Sequence, residues 1–196
     1  MNKTMHGQKN FWQKSLRSTA WMLWLVMFLN TLSGQENGLN SRTNLADEQL
    51  IRIVKKHEAL LGQYAEDPSK FGKRELSTRV QSVIAAYTAF NNDNTDDVFG
   101  YVLHGKFLRE IGRFEEAYNM FQKANKLDPN IAIVKQQLGN FLAESGRYKE
   151  AYPLFVSAVK LDPEKAIYQY QLGAHLIYFG KQLQAEKQMS PMDFDR

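Results

Sequence analysis

Six consecutive oxygen-bearing side chains, Asn92, Asp93, Asn94, Thr95, Asp96 and Asp97, are where this sequence comes nearest to a site for chemistry. Asn92, Asn94 and Asp96 have the alternating spacing with which an EF-hand loop begins to wrap calcium. Such a loop needs glycine at its sixth place and a bidentate glutamate at its twelfth, and here those places hold Asp97 and Leu103. The stretch therefore reads as a solvated turn whose Asp96 or Asp97 caps the next helix, and no metal is expected. His57, His104 and His175 are scattered, with no two one helical turn apart as zinc enzymes place them, so each reads as a packing residue. Gly100 and Gly105 belong to a helical pattern and are followed by no Gly-Lys-Ser/Thr phosphate loop. Glu115 and Glu116 stand at a helix start, where negative charge complements the dipole. The absence of cysteine excludes disulfides, thiolate metal sites and a cysteine nucleophile. No enzyme and no cofactor is expected.

The elements that must position these residues follow a repeat. Gly112-Arg113-Phe114-Glu115-Glu116-Ala117-Tyr118 returns as Gly146-Arg147-Tyr148-Lys149-Glu150-Ala151-Tyr152, 34 residues on. Each copy leads into the same ending, Phe121, Ala124, Leu127, Asp128 and Pro129, then Phe155, Ala158, Leu161, Asp162 and Pro163. Repeats of this length imply a stacked array in place of one closed core. Tyr101, Leu108 and Ile111, with Gly105 between them, predict a first helix; Ala117, Phe121, Ala124 and Leu127 predict a second. Gly112 ends the first, because glycine accepts the left-handed backbone of a tight helix stop. Asp128-Pro129 ends the second, since a residue before proline is pushed out of helical angles. The small residues at 105 and 117 let the two backbones approach, and Phe121 fills the gap to the next pair.

This pattern resembles the tetratricopeptide repeat, with small residues at Gly105, Gly112 and Ala117, an aromatic at Phe121, then Ala124 and Pro129, repeated at Gly139, Gly146, Ala151, Phe155, Ala158 and Pro163. The resemblance covers roughly residues 98–189, with departures at His104 (Leu138 and Leu172 later), Lys135 and Met189. It implies an all-α fold, a short right-handed superhelix of antiparallel helix hairpins (an α-solenoid). It also implies a concave groove lined by Phe99, Val102, Lys106, Arg109 and Glu110, by Ile133, Gln136, Asn140, Ala143 and Glu144, and by Ile167, Tyr170, Ala174, Ile177 and Tyr178. Family members hold peptides there, some by clamping a terminal carboxylate. Val102 replaces one lysine of that clamp.

The rest of the chain frames the array. Residues 1–34 carry a basic start, an apolar centre over residues 21–29 and a small-residue exit at Ser33-Gly34, which is the anatomy of a secretory signal peptide. An uncleaved anchor over residues 21–32 is the alternative, although the apolar run is shorter than the roughly 20 residues that cross a bilayer. Residues 35–46 read as a linker, with Asn44 as a helix cap. Residues 47–97 read as a helical hairpin, a degenerate repeat or cap, with apolar stripes Leu50, Ile53, Val54, His57, Leu61, Tyr64 and Leu76, Val80, Val83, Ile84, Tyr87, Phe90. From Ala166 a third repeat begins. Gly180 predicts its turn, and a short second helix is expected from Leu183 to about Met189, before a tail over residues 190–196.

The formal charge of +4 comes from Lys3, Lys9, Lys14 and Arg17 in the leader, leaving 21 of the 25 basic residues against 21 acidic ones. A balanced body gives no electrostatic reason to bind nucleic acid. The sequence thus leads to a non-catalytic adaptor outside the cytosol, periplasmic or secreted, holding a peptide or partner protein in its groove. The alternative is a structural subunit that self-associates, or joins a membrane complex, through an uncapped last repeat.

Overall fold

A computed structural model describes residues 40–185; the signal-like leader, most of the expected linker, Met189 and the tail lie outside the described residues. Contacts divide the chain into residues 1–45 and 46–196. The helices are α1 (Asn40–Glu66), α2 (Lys73–Asp93), α3 (Val98–Glu110), α4 (Phe114–Leu127), α5 (Ala132–Glu144), α6 (Tyr148–Leu161) and α7 (Ala166–Ala185), with a 3-10 turn at Pro68–Lys70. Among the described residues there is no strand. Closely packed backbones join α3 to α4, α5 to α6, and each of α2, α4 and α6 to the helix that follows it. Such neighbour-only packing makes an α-solenoid of antiparallel hairpins.

Local chemistry sets the period. Asp97 caps α3 by accepting a hydrogen bond from the Gly100 amide at 2.8 Å. Gly112 and Gly146 adopt φ of +83° and +78°. After each glycine the next amide bonds back into the finished helix, Arg113 N to Leu108 O and Arg147 N to Leu142 O, both at 2.8 Å, as in a Schellman stop. The helix that follows opens with an arginine paired to a glutamate three residues on, Arg113 with Glu116 and Arg147 with Glu150. Gly105 and Gly139 then let an aromatic ring close in. A Cβ on Gly105 would lie 2.9 Å from Phe121, and one on Gly139 would lie 3.0 Å from Phe155.

The third period departs from this. α7 runs unbroken through Gly180 to Ala185, so the turn expected at Gly180 and a separate helix starting at Leu183 are not formed. Lys181 and Gln184 stand where arginine and glutamate pair in the earlier copies, so no charged fork favours a new helix start. Lys181, Gln182, Leu183 and Gln184 are good helix formers, and Leu183 is buried. The consequence shows at Gly173, in register with Gly105 and Gly139. Among the described residues, a Cβ there would meet nothing within 4 Å.

The amino-terminal hairpin is built on different terms. α1 begins at Asn40, so the last residues of the expected linker are helical and Asn44 lies inside the helix. Lys56 Nζ to Ser82 Oγ at 2.6 Å and Arg79 to Gln63 at 3.2 Å record its antiparallel course against α2. Without glycine or alanine landmarks, the two helices meet through large side chains. Leu50, Ile53, Leu60, Val83, Tyr87 and Phe90 form one cluster that also takes in Phe107 of α3. Tyr64, expected on the apolar stripe, is exposed, and Leu60 takes the buried place.

Glycine substitutions test this geometry. A Cβ at Gly100 would lie 2.5 Å from Asn91 Oδ1 and 2.6 Å from the Phe90 ring, both buried. Gly100→Ala should therefore cost about 1–3 kcal/mol by overpacking. Gly173→Ala should add about 0.5–1 kcal/mol, the helix preference of alanine over glycine. Urea unfolding of both variants checks the opposite signs.

Candidate functional site

The first helices of the two hairpins, α3 and α5, together with α7 carry the expected groove positions, and the structure distributes them unevenly. Phe99 packs against the amino-terminal cluster, and Val102 and Ile133 against the core of the first repeat. They are half-buried supports for the wall. Gln136 and Asn140, expected to offer polar groups at the surface, are buried. Ala174 is half-buried, while Tyr170, Ile177 and Tyr178 are 58%, 82% and 69% exposed. The open apolar part of the face therefore lies on α7.

The charged positions are tied to one another. Lys106 Nζ lies 3.8 Å from Glu110 Oε1. Glu110 Oε2 accepts a hydrogen bond from His57 Nε2 at 2.7 Å, and His57 Nδ1 stands 3.1 Å from the Tyr87 hydroxyl. Burial, reinforced by Glu110 and Glu58, holds the Tyr87 hydroxyl far above its ordinary pKa, so it stays protonated and donates. Arg109 crosses between hairpins, donating to Gln137 Oε1 at 2.7 Å and to Glu144 Oε1 at 2.9 Å. It thereby joins α3 and α5 across the face.

Some polar atoms beneath the face are enclosed without partners among the described residues. Among the described residues, Asn140 Nδ2 and both amide atoms of Gln171 are buried without a hydrogen-bond partner. An unsatisfied buried amide of this kind costs about 1–3 kcal/mol unless something binds it. Gln171 was not among the expected groove residues. Its signal is visible in the repeat register, where Leu103 of the first copy is replaced by Gln137 and then Gln171. Gln137 uses its amide on Arg109 and Gln136.

The side chains with the most chemical potential are occupied structurally. The Asp97 carboxylate caps α3, and Asn94 Nδ2 donates to Phe90 O at 2.9 Å. His104 takes a 3.2 Å hydrogen bond from Asn91 Nδ2 at its Nδ1 and stacks on Tyr87 at 5.3 Å, with its Nε2 left unpaired among the described residues. His175 Nε2 donates to the Tyr148 carbonyl at 3.0 Å, and its ring lies 5.1 Å from that of Phe155. Among the described residues no group of three or more His, Asp or Glu side chains could hold a metal ion, and no helix is long and apolar enough to cross a membrane.

The tetratricopeptide-repeat family model matches residues 100–131 and again residues 132–165, the two hairpins α3–α4 and α5–α6. Residues 100–165 are two tetratricopeptide repeats. No curated protein matches the chain. Among solved structures, a thermophilic tetratricopeptide-repeat protein of Thermus thermophilus superimposes with a TM-score of 0.52 at 12% identity, over 67% of this chain and 70% of that one. That likeness shows the shared repeat fold. MamA aligns with a TM-score of 0.49 at 22% identity, over 55% of this chain and 63% of MamA. The TPR2B domain of yeast Sti1, solved in complex with pHsp70, aligns with a TM-score of 0.45 at 19% identity, over 65% of this chain and 98% of the domain. The alignment with MamA thus spans less than two thirds of that protein's length.

Proposed function

We propose that this chain is a non-catalytic adaptor whose repeat array holds a peptide segment of a partner protein on the concave face formed by α3, α5 and α7. The observation that carries this is the open apolar stripe on α7. Tyr170, Ile177 and Tyr178 stand open to solvent there. Apolar side chains of a bound segment cover such exposed aromatic and aliphatic surface.

The test is substitution on the open stripe. A double variant, Tyr170→Ala with Ile177→Ala, should weaken binding of a peptide selected on the wild-type chain by about tenfold or more, because truncated aromatic anchors commonly cost about 2 kcal/mol or above. Both side chains are exposed, so circular dichroism should not change. Unchanged affinity would count against the groove.

The place of action we propose is outside the cytosol. It rests on the basic, apolar and small-residue order of residues 1–34. Amino-terminal sequencing of the protein recovered from the cell envelope or medium should find a start near residue 35. A retained Met1 would favour the anchor reading, and recovery in the cytosol would oppose both.

A second reading has its own observation. Among the described residues nothing stands within 4 Å of a Cβ at Gly173, with half-buried Leu172 and Leu176 beside it, at the register where Gly105 and Gly139 meet the second helix of their hairpins. A structural subunit would dock there. Light scattering distinguishes the two: assembly that Gly173→Ala disrupts supports docking at Gly173, and a monomer supports the groove.

A further inference from the structure

We infer that the segment held in the groove is uncharged and rich in large apolar side chains, and that its capture does not depend on salt. This rests on the groove reading above and names the ligand chemistry it takes. Of the fifteen positions expected along the face, four carry a charge at neutral pH, Lys106, Arg109, Glu110 and Glu144. These two cations and two anions are joined within the protein, Lys106 to Glu110 and Arg109 to Glu144. Glu110 is held further by His57. The formal charge of the lining is therefore zero. An acidic or basic ligand would have to break an internal pair to gain one of its own, an exchange with little net electrostatic gain.

The α7 part of the lining has no ionisable group except the phenols Tyr170 and Tyr178, and its exposed Ile177 carries no polar atom on its side chain. A ligand residue seated there gains by covering apolar surface. An ionised carboxylate placed against it would lose hydration without a counter-charge. Electroneutral walls and an apolar end thus fit one occupant, a neutral segment with aromatic or aliphatic side chains over Tyr170, Ile177 and Tyr178.

The experiment is to pan a random phage-displayed peptide library on the full chain and to measure the affinity of the enriched peptides at low and high salt. The expected sequences are enriched in Leu, Ile, Phe, Tyr and Trp and depleted in Asp, Glu, Lys and Arg. Their affinities should change less than about twofold between about 50 mM and about 500 mM sodium chloride, since no charge contact is there to screen. Glu144→Gln removes one anion, and it should shift selection toward acidic peptides with salt-sensitive binding. Enrichment of charged peptides on the wild-type chain, with affinity falling about tenfold or more over that salt range, would overturn the inference. It would leave the groove reading standing if Tyr170→Ala with Ile177→Ala still weakens them. If nothing enriches, or if the enriched peptides ignore that double variant, both readings fall.

Discussion

Phe155→Ala should cost about 3–5 kcal/mol of stability, the range for emptying a buried aromatic site. Phe155 is the residue on which three helices of the array agree. Its ring lies so close to Gly139 of α5 that a Cβ there would stand 3.0 Å from it, tighter than most real Cβ contacts. It packs with Leu142 and Ala151, with half-buried Leu172 of α7 against the same cluster, and faces His175 at 5.1 Å between ring centroids. Removing it opens the seam between the second hairpin and α7. The gap cannot close by collapse, because the glycine opposite has no side chain to fill it. The loss should also be uneven, since each element of a repeat array is held mainly by its neighbours. Native-state hydrogen exchange should show α7 opening well before α3 and α4, while urea unfolding reads the total. Uniform loss of protection along the chain would contradict a seam-by-seam array.

Acidification from about pH 7 to about pH 4 should remove about 3 kcal/mol through His104 alone. Burial pulls its imidazole from an ordinary 6.5 down to about 4, with Arg113 and Lys123 reinforcing the shift and Glu116 opposing it. The unfolded chain takes up a proton near 6.5, and the folded chain only near 4. The contribution is therefore complete above pH 6.5 and is lost as pH falls toward 4. His175 is shifted in the same direction by burial, partly offset by its bond to the Tyr148 carbonyl, and adds to the loss. The control is His104→Leu, the residue type found at Leu138 and Leu172 in the same register. That variant leaves Asn91 Nδ2 without its partner and is destabilised at every pH, so the informative quantity is its dependence on pH. The drop between about pH 7 and about pH 4 should be smaller than in the wild type by about 3 kcal/mol. Equal drops would mean that His104 is solvated and titrates normally.

Within a hairpin, the sequence was nearly sufficient. Gly105, Ala117, Phe121 and Ala124, and again Gly139, Ala151, Phe155 and Ala158, were expected at the contact between helices, and all are buried. Small and large residues at fixed spacing describe a pairwise fit that needs only local geometry. Leu127 and Leu161 were expected to continue that face, yet they are 43% and 38% exposed. Each is the last residue of its helix before Asp-Pro, where the chain turns away from its partner. Between hairpins the pattern was weaker. Phe107 and Val134, both almost fully buried, were not singled out, because their partners come from the preceding repeat.

The family, the all-α class, the period and the stops at Gly112 and Gly146 were determined by sequence alone, since each depends on backbone sterics and on contacts within about one repeat. Tertiary structure alone decided three things. It drew α7 through Gly180, where the burial of Leu183 goes with a continued helix in place of the expected turn. It tied His57 to Tyr87 and Glu110, residues 30 and 53 positions away, so that a stripe residue became a link between the hairpin and the first repeat. And it sorted the groove, closing over Gln136 and Asn140 while leaving Tyr170, Ile177 and Tyr178 open. Position within a repeat says which way a side chain points. Whether anything stands in front of it depends on residues far away in the chain.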